Sequence, residues 1–235
     1  MKRMASHASE KTGMEWRVRT GEEASLIADV SRGKFPFAMV CRSLSDKERA
    51  SVEAHLIGYD GIAVIVNGRN PVENLEAAQV AEIYAQRITR WKNVGGTDKQ
   101  IVPVVKEKQT LPQGAAGNLF IPLHAPDKGV HVVNADLPAI LFVAVDPYAI
   151  SYVGITEATR LIAEGARIKV INIDGKLPAP ELLRNGAYSL SWPVYLITSR
   201  RLNESGSRVK AFLLGLEGAR ALAEAGLVSA RGDKP

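Results

Sequence analysis

Histidine and cysteine, the residue types that most often carry nucleophilic or metal chemistry, are few in this chain. The histidines are His7, His55, His124 and His131. No two of them have the His-x-x-x-His spacing of a metal site, and no cysteine partners them. We therefore expect histidines that are solvated or packed in the core, and no bound metal.

Cys41, the single cysteine, gives no indication of catalysis. It ends the apolar run 37–41, which predicts a buried and inert thiol, and one cysteine excludes an internal disulfide. The chain also lacks a Gly-x-Ser-x-Gly elbow, a phosphate-binding P-loop and a Gly-x-Gly-x-x-Gly fingerprint. The sequence thus predicts a protein that is not an enzyme and that needs no cofactor.

The charge of the chain indicates which ligands it suits. The formal net charge is +5 and the isoelectric point is near 9.3, which favours an anionic ligand, a nucleic acid or an acidic membrane surface. Basic residues are scattered, and no Lys/Arg tract alternates with aromatic residues, so a nucleic-acid partner is not predicted. A small anion taken out of water needs many aligned hydrogen-bond donors.

The elements that would position such a ligand include two long extended segments. Residues 57–66 form an apolar strand that ends at Asn67, and a helix and a Trp-Gly-Gly turn follow it. This arrangement predicts a crossing between two lobes, and a cleft between lobes can hold a ligand. Residues 188–198 predict a second crossing.

The remaining pattern alternates strands with helices, which predicts a largely parallel sheet with covered faces. Helices are predicted over 21–33, 139–145, 156–164, 207–216 and 217–225 and around Leu119-Phe120. Strands are predicted over 16–19, 35–41, 101–105, 130–133, 149–154 and 168–173. Ser45 with Glu48 three residues later predicts a capping box at a further helix. Trp91 and Trp192 are expected in core or hinge packing, with the lining of a pocket as the alternative.

The composition allows one large domain or two small lobes. With 46% hydrophobic residues in a chain of 235, a packed α/β core is expected. The longest apolar run, 137–145, is too short to span a bilayer. Residues 1–13 lack the apolar segment of a signal peptide.

Four segments of the chain occur in an order that is typical of one family. They are residues 60–67 with Asn70-Pro71, residues 83–84 and 88–91 with Gly95-Gly96, residues 146–154, and residues 174–190. Together they resemble the phosphate-binding solute receptors of ABC transporters, within the type II periplasmic binding protein superfamily.

This resemblance implies an α/β fold of two lobes, each a mostly parallel sheet flanked by helices, joined by crossing strands at 57–66 and 190–198. Lobe 1 would comprise residues 1–66 and 187–235, and lobe 2 would comprise residues 67–186. The resemblance also implies that phosphate or another small oxyanion binds in the interlobe cleft by hinge closure. The partner would be the membrane component of an ABC transporter, and the location would be periplasmic or extracellular.

The start of the chain departs from the family. Family members begin with a strand and a helix before the segment that resembles residues 16–21, and the sequence shows no such strand. A truncated start would explain this and the missing signal peptide. A divergent intracellular protein is the competing explanation, and a genuine start would then mean a cytoplasmic location.

The ligand motif also departs from the family, which typically has Arg-Glu, two further residues and Ser-Gly-Thr at a helix start. Here residues 106–112 read Lys-Glu-Lys-Gln-Thr-Leu-Pro. Lys106 can replace the arginine, without its bidentate fork, and Thr110 can replace the serine hydroxyl. Pro112 has no amide donor. The structural alternatives are a lysine at a strand end and a helix N-cap.

The predicted ligand set is completed by Gly21, Glu22 and Arg42, and by Asn134, which follows the predicted strand 130–133. Glu22 and Glu23 stand where the family loop is usually Gly-Ser-Gly, and they indicate either a changed ligand or stabilisation of a helix N-terminus. Arg42 is expected to contact the ligand or to pair with Glu48. Asn134 is expected to offer its amide to the ligand or to cap the following helix.

The incomplete ligand motif leaves a second function open. A domain with the same fold but a lost or altered ligand site would serve as a sensor or interaction module that does not transport. The sequence predicts the receptor first and this module as its alternative.

Overall fold

A computed structural model describes residues 21–107, 129–224 and 226–230 of the chain. Its helices are α1 Glu23–Ser31, α2 Asp46–Ser51, α3 Ala77–Tyr84, α4 Asp136–Val145, α5 Ile155–Ala163, α6 Pro180–Arg184, α7 Glu204–Leu214 and α8 Leu216–Glu224. Its strands are β1 Phe37–Val40, β2 Glu53–Asn67, β3 Asn74–Leu75, β4 Val102–Lys106, β5 His131–Val133, β6 Ala149–Gly154, β7 Ile168–Val170, β8 Asn172–Ile173, β9 Ser191–Thr198 and β10 Val228–Ser229. The predicted α/β class is confirmed.

The chain forms two compact units. Unit 1 comprises Met1–Asp60 and Trp192–Pro235, and unit 2 comprises Gly61–Ser191. Strands β2 and β9 contain the two points where the chain passes from one unit to the other. The predicted strand over 16–19 and the helix around Leu119-Phe120 lie outside the described residues.

Unit 1 is built from antiparallel strand pairs and the helices that cover them. Strand β1 pairs antiparallel with β9, and β10 pairs antiparallel with the first half of β2. Both pairs are antiparallel, unlike the parallel pairing expected from the alternation of strands and helices. Among the described residues of unit 1, one hydrophobic cluster comprises Ile27, Val30, Val40, Leu44, Val52 and Ile197, and another comprises Leu196, Val209, Leu213, Ala221 and Leu222.

The start of α2 confirms the predicted capping box. The Ser45 hydroxyl accepts a hydrogen bond from the backbone N–H of Glu48 at 3.4 Å, and the Glu48 carboxylate accepts one from the Ser45 N–H at 2.9 Å. The two bonds satisfy donors that a helix start otherwise leaves unpaired. They also fix the position of the Glu48 carboxylate, which matters for Arg42.

Unit 2 contains the parallel strands. Strand β4 pairs parallel with β5 and with β6, and β3 pairs parallel with β8. The second half of β2 pairs antiparallel with β6 and β7. The core between this sheet and helices α4 and α5 comprises Ala63, Ile65, Val104, Ala139, Ile140, Val143, Ala149, Val153, Ala158 and Ile168.

One predicted strand of unit 2 is wrong in its extent. Residues 168–173 form two short strands, because the chain changes its pairing partner from β2 to β3 near Ile171.

Trp91 and Trp192 have the core positions expected of them, with 1% of Trp91 and 7% of Trp192 exposed. Trp91 Nε1 donates to the carbonyl oxygen of Tyr148 at 2.9 Å.

Candidate functional site

Three parallel strands of unit 2 end at the same edge of the sheet, where polar groups gather. Strands β4, β5 and β6 end at Lys106, Val133 and Gly154. Helices α4 and α5 begin at Asp136 and Ile155. Ligands of parallel α/β sheets bind outside the carboxyl ends of the strands, so this edge is the candidate site of unit 2.

Lys106, Asp136 and Gly154 form one hydrogen-bonded group at this edge. Lys106 Nζ donates to Asp136 Oδ1, and the backbone N–H of Gly154 donates to Asp136 Oδ2 at 3.0 Å. The side chains of Lys106 and Asp136 are only 17% and 28% exposed. Lys106 Nζ also lies 5.9 Å from the ring centre of Tyr152. Lys106 is thus a strand-end lysine in an ion pair, and its role toward a ligand stays a prediction.

Asn134 and Thr110 are also predicted ligand residues, and the structure describes only Asn134. Asn134 is exposed, and it does not cap α4, because the N-cap position belongs to Ala135 and carries no side-chain hydrogen bond. The capping alternative for Asn134 is therefore wrong, and its role as a ligand residue stays a prediction. Thr110 lies outside the described residues.

Arg42 follows the end of β1 in unit 1 and is held by two carboxylates. Its Nη1 and Nη2 donate to the Glu48 carboxylate at 3.0 and 2.7 Å, and its Nε lies 3.3 Å from Glu23 Oε2. The Arg42 hydrogen bonds lower the pKa of Glu48 to about 2. The expected Arg42–Glu48 pair is present, and contact with a ligand stays a prediction for Arg42.

Glu23 connects the start of α1 to the end of β1. Besides its contact with Arg42, its Oε1 accepts a hydrogen bond from the Cys41 backbone N–H at 2.6 Å. Burial, together with the Glu23 and Asp60 carboxylates, raises the pKa of Cys41 to about 12. The Cys41 thiolate is therefore scarce at neutral pH, as expected for an inert thiol.

Gly21 and Glu22 precede α1 and are both exposed. Glu22 has the N-cap position without a side-chain cap hydrogen bond. The ligand roles of Gly21 and Glu22 stay predictions.

Two further acidic residues, Glu23 and Asp136, contact the predicted cations. For Glu23 the sequence indicated either a changed ligand or stabilisation of a helix N-terminus, and it did not single out Asp136. Glu23 and Asp136 share one feature that could have pointed to them. Each is an acidic residue in the first turn of a helix that begins beside the carboxyl end of a strand.

The described residues contain no candidate metal site. Within residues 21–107, 129–224 and 226–230, no group of three His, Cys, Asp or Glu side chains could hold a metal ion. No helix in those ranges is long and apolar enough to cross a membrane. The groups described above in both units are cations, carboxylates and backbone N–H groups.

Comparison with known proteins gives the family. A family model described as "PBP superfamily domain" matches residues 1–213. The chain belongs to the PBP superfamily. Within it, the phosphate-binding protein PstS of Staphylococcus epidermidis is 28% identical over 216 residues, which cover 84% of this chain and 64% of that relative. The chain therefore spans somewhat less than two thirds of the length of this PstS.

Solved structures agree with this membership of the PBP superfamily. An ABC-type phosphate transport receptor from Vibrio cholerae matches with a TM-score of 0.80 and 23% identity, over 97% of this chain and 93% of that one. A putative phosphate ABC transporter substrate-binding protein from Clostridium perfringens, solved with bound phosphate, matches with a TM-score of 0.69 and 24% identity, over 97% and 94% of the two chains. Identities this low show the fold alone. The predicted PstS-like resemblance and the type II fold class are confirmed.

Proposed function

We propose that this PBP superfamily member binds inorganic phosphate, or another small oxyanion, and delivers it to the membrane component of an ABC transporter. The observation that carries the proposal is the similarity to phosphate-binding PstS across 84% of the chain. The proposed role is binding without catalysis, in a periplasmic or extracellular location. Residues 1–66 with 187–235 and residues 67–186 are the proposed lobes of this receptor.

The edge of unit 2 supplies chemistry that suits an oxyanion. Lys106 is a cation with three donor hydrogens, and only 17% of its side chain is exposed, so its attraction to an anion is weakly screened. The N-terminus of α5 adjoins it at Gly154 and Ile155, and helix N-termini favour anions through backbone N–H groups and the helix dipole. These groups need no metal and no cofactor to bind phosphate.

Substitution of Lys106 tests the proposed site. Lys106→Gln should weaken phosphate binding at least about tenfold, because a charge-assisted hydrogen bond to a partly buried anion is lost. Lys169→Gln is the matched control, since Lys169 is 21% exposed and is also paired, with Glu73, in the same unit. Isothermal titration calorimetry with inorganic phosphate measures both variants.

The double variant Lys106→Ala/Thr110→Ala extends this test to the second predicted ligand. It should abolish phosphate binding, while Lys169→Gln binds like the unsubstituted chain. Unchanged phosphate affinity in the double variant would remove both residues from the site. Phosphate binding by the unsubstituted chain would still stand in that case.

A second candidate function is a sensor or interaction domain that has lost the anion site. It is favoured by one observation, which is that Arg42 already pairs with Glu23 and Glu48 inside unit 1. In this case the folded chain would bind neither phosphate nor sulfate at millimolar concentration. Saturable phosphate binding in the calorimeter would exclude it.

A further inference from the structure

Asp136 makes the contacts that a bound oxyanion would make at the edge of unit 2. One carboxylate oxygen accepts from Lys106 Nζ, and the other accepts from the Gly154 N–H at 3.0 Å. A backbone N–H has a single hydrogen to donate, so phosphate cannot take the Gly154 donor while Asp136 holds it. Asp136 also neutralises Lys106 at short range.

The partial burial of this pair makes the neutralisation effective. The side chains of Asp136 and Lys106 are 28% and 17% exposed, so water screens their attraction less than at an open surface. The Asp136 carboxylate would repel an incoming anion, and water would screen this repulsion equally weakly. Repulsion and the occupied donor therefore both act against anion binding while Asp136 keeps its position.

Unit 1 contains the same arrangement, built from other residues. Glu23 uses one carboxylate oxygen to accept from the Cys41 N–H and the other to contact Arg42, at the end of β1. In each unit a carboxylate from the first turn of a helix spans one backbone N–H and one cation at the end of a strand. The repetition with different residues argues against an incidental contact of Asp136.

We propose that Asp136 is an internal competitor of the ligand, which must leave Lys106 and the Gly154 N–H before an oxyanion can use them. The proposal rests on the proposed phosphate-binding function and concerns the same edge of unit 2. Asp136 acts as an affinity-setting residue. It lowers the affinity of the chain for phosphate relative to the affinity that Lys106 and α5 would give alone.

The experiment compares phosphate affinity in the unsubstituted chain, Asp136→Asn and Asp136→Ser by isothermal titration calorimetry. Both substitutions remove the negative charge. The Asn side chain keeps an amide oxygen that can accept from Gly154, whereas the shorter Ser side chain does not reach as far as the Asp136 carboxylate. We expect each to raise phosphate affinity about tenfold, because a competing charge is lost. The matched control is Asp29→Asn, which removes a carboxylate that is 16% exposed and contacts Lys34 at 3.0 Å in unit 1, and it should leave phosphate affinity unchanged.

Each outcome separates this proposal from the proposed function. Tighter phosphate binding by both Asp136 variants, with Asp29→Asn unchanged, supports the competitor role. Equal or weaker phosphate binding by folded Asp136 variants, beside an unsubstituted chain that binds phosphate, overturns the competitor role alone. Weaker binding would make Asp136 a positioning residue for Lys106. Absence of phosphate binding in every folded variant overturns both proposals, and a thermal melt of each variant establishes that it is folded.

Discussion

Arg42 and Lys106 are the two cations expected to meet an anionic ligand, and each is held by a carboxylate of its own unit. Arg42 contacts Glu23 and Glu48, and Lys106 contacts Asp136. A carboxylate paired with a cation weakens the attraction between that cation and an external anion. The strength of these internal pairs therefore sets how readily each cation can serve a ligand.

Glu23 and Glu22 form a natural comparison at the start of α1. Glu23→Gln should destabilise the protein by about 1–2 kcal/mol, because it weakens a partly buried charged contact and the hydrogen bond to Cys41. Glu22→Gln should change stability by less than about 0.5 kcal/mol, since Glu22 is exposed and its side chain makes no cap hydrogen bond. Urea unfolding at neutral pH measures both, and equal effects would contradict the contact made by Glu23.

The Arg42–Glu48 pair predicts a pH dependence of stability. Arg42 lowers the pKa of Glu48 to about 2, so the pair contributes its full stabilisation above the unfolded-state pKa of Glu, about 4.3. That contribution is lost as the pH falls from there through about 2, because the carboxylate becomes protonated in both states. The unfolding free energies of the unsubstituted chain and Glu48→Gln should differ at pH 7 and converge toward pH 2. A difference that stays constant over this range would show that the pair is not the cause.

Strand β2 carries a glycine whose neighbours leave no room for a side chain. A Cβ at Gly61 would lie 2.7 Å from the carbonyl oxygen of Leu190 and 3.2 Å from the Cα of Ser191. Both are backbone atoms, which cannot move aside as the end of a flexible side chain can. The close approach therefore requires glycine in the middle of this strand.

Substitution of Gly61 tests this close approach. Gly61→Ala should destabilise the protein by about 1–3 kcal/mol through overpacking. Gly68→Ala is the control, because its nearest neighbour, the carbonyl oxygen of Arg167, would lie at 3.4 Å, an ordinary contact distance. Thermal unfolding should show a lower midpoint for Gly61→Ala alone, and equal midpoints would contradict the packing described for β2.

The elements that follow local rules were predictable from the sequence. The buried run at the end of β2 and the capping box of α2 depend on neighbouring residues and are present as predicted. The contacts of the candidate site were not predictable in this way. Glu23 reaches Cys41 across 18 positions and Lys106 reaches Asp136 across 30, so these contacts depend on which strands lie side by side. A helix-start carboxylate has the same local signature whether it faces water or a distant cation.

At the scale of the whole molecule, net charge is a poor guide to the site. The chain carries a net charge of +5, yet the carboxylates Glu23, Glu48 and Asp136 surround the cations of interest. The family was predictable because four segments preserve their order along the chain. The predicted ligand residues had less support from the sequence, because residues 106–112 and the start of α1 depart from the pattern that the resemblance implies.

Phosphate binding should also appear as stabilisation of the folded chain. A ligand that binds only the folded state stabilises it by about 2.7 kcal/mol at a concentration one hundred times its dissociation constant. The thermal midpoint should therefore rise with phosphate concentration, and it should rise less for Lys106→Gln than for Lys169→Gln. An equal rise with sodium chloride at matched ionic strength would indicate a general salt effect.

The most direct measurement is a calorimetric titration of the unsubstituted chain with inorganic phosphate at neutral pH and constant ionic strength. If the chain is a phosphate receptor, the titration should give a saturable isotherm with one phosphate bound per chain. Absence of binding at millimolar phosphate, in a sample that melts as a folded protein, would contradict the proposed function.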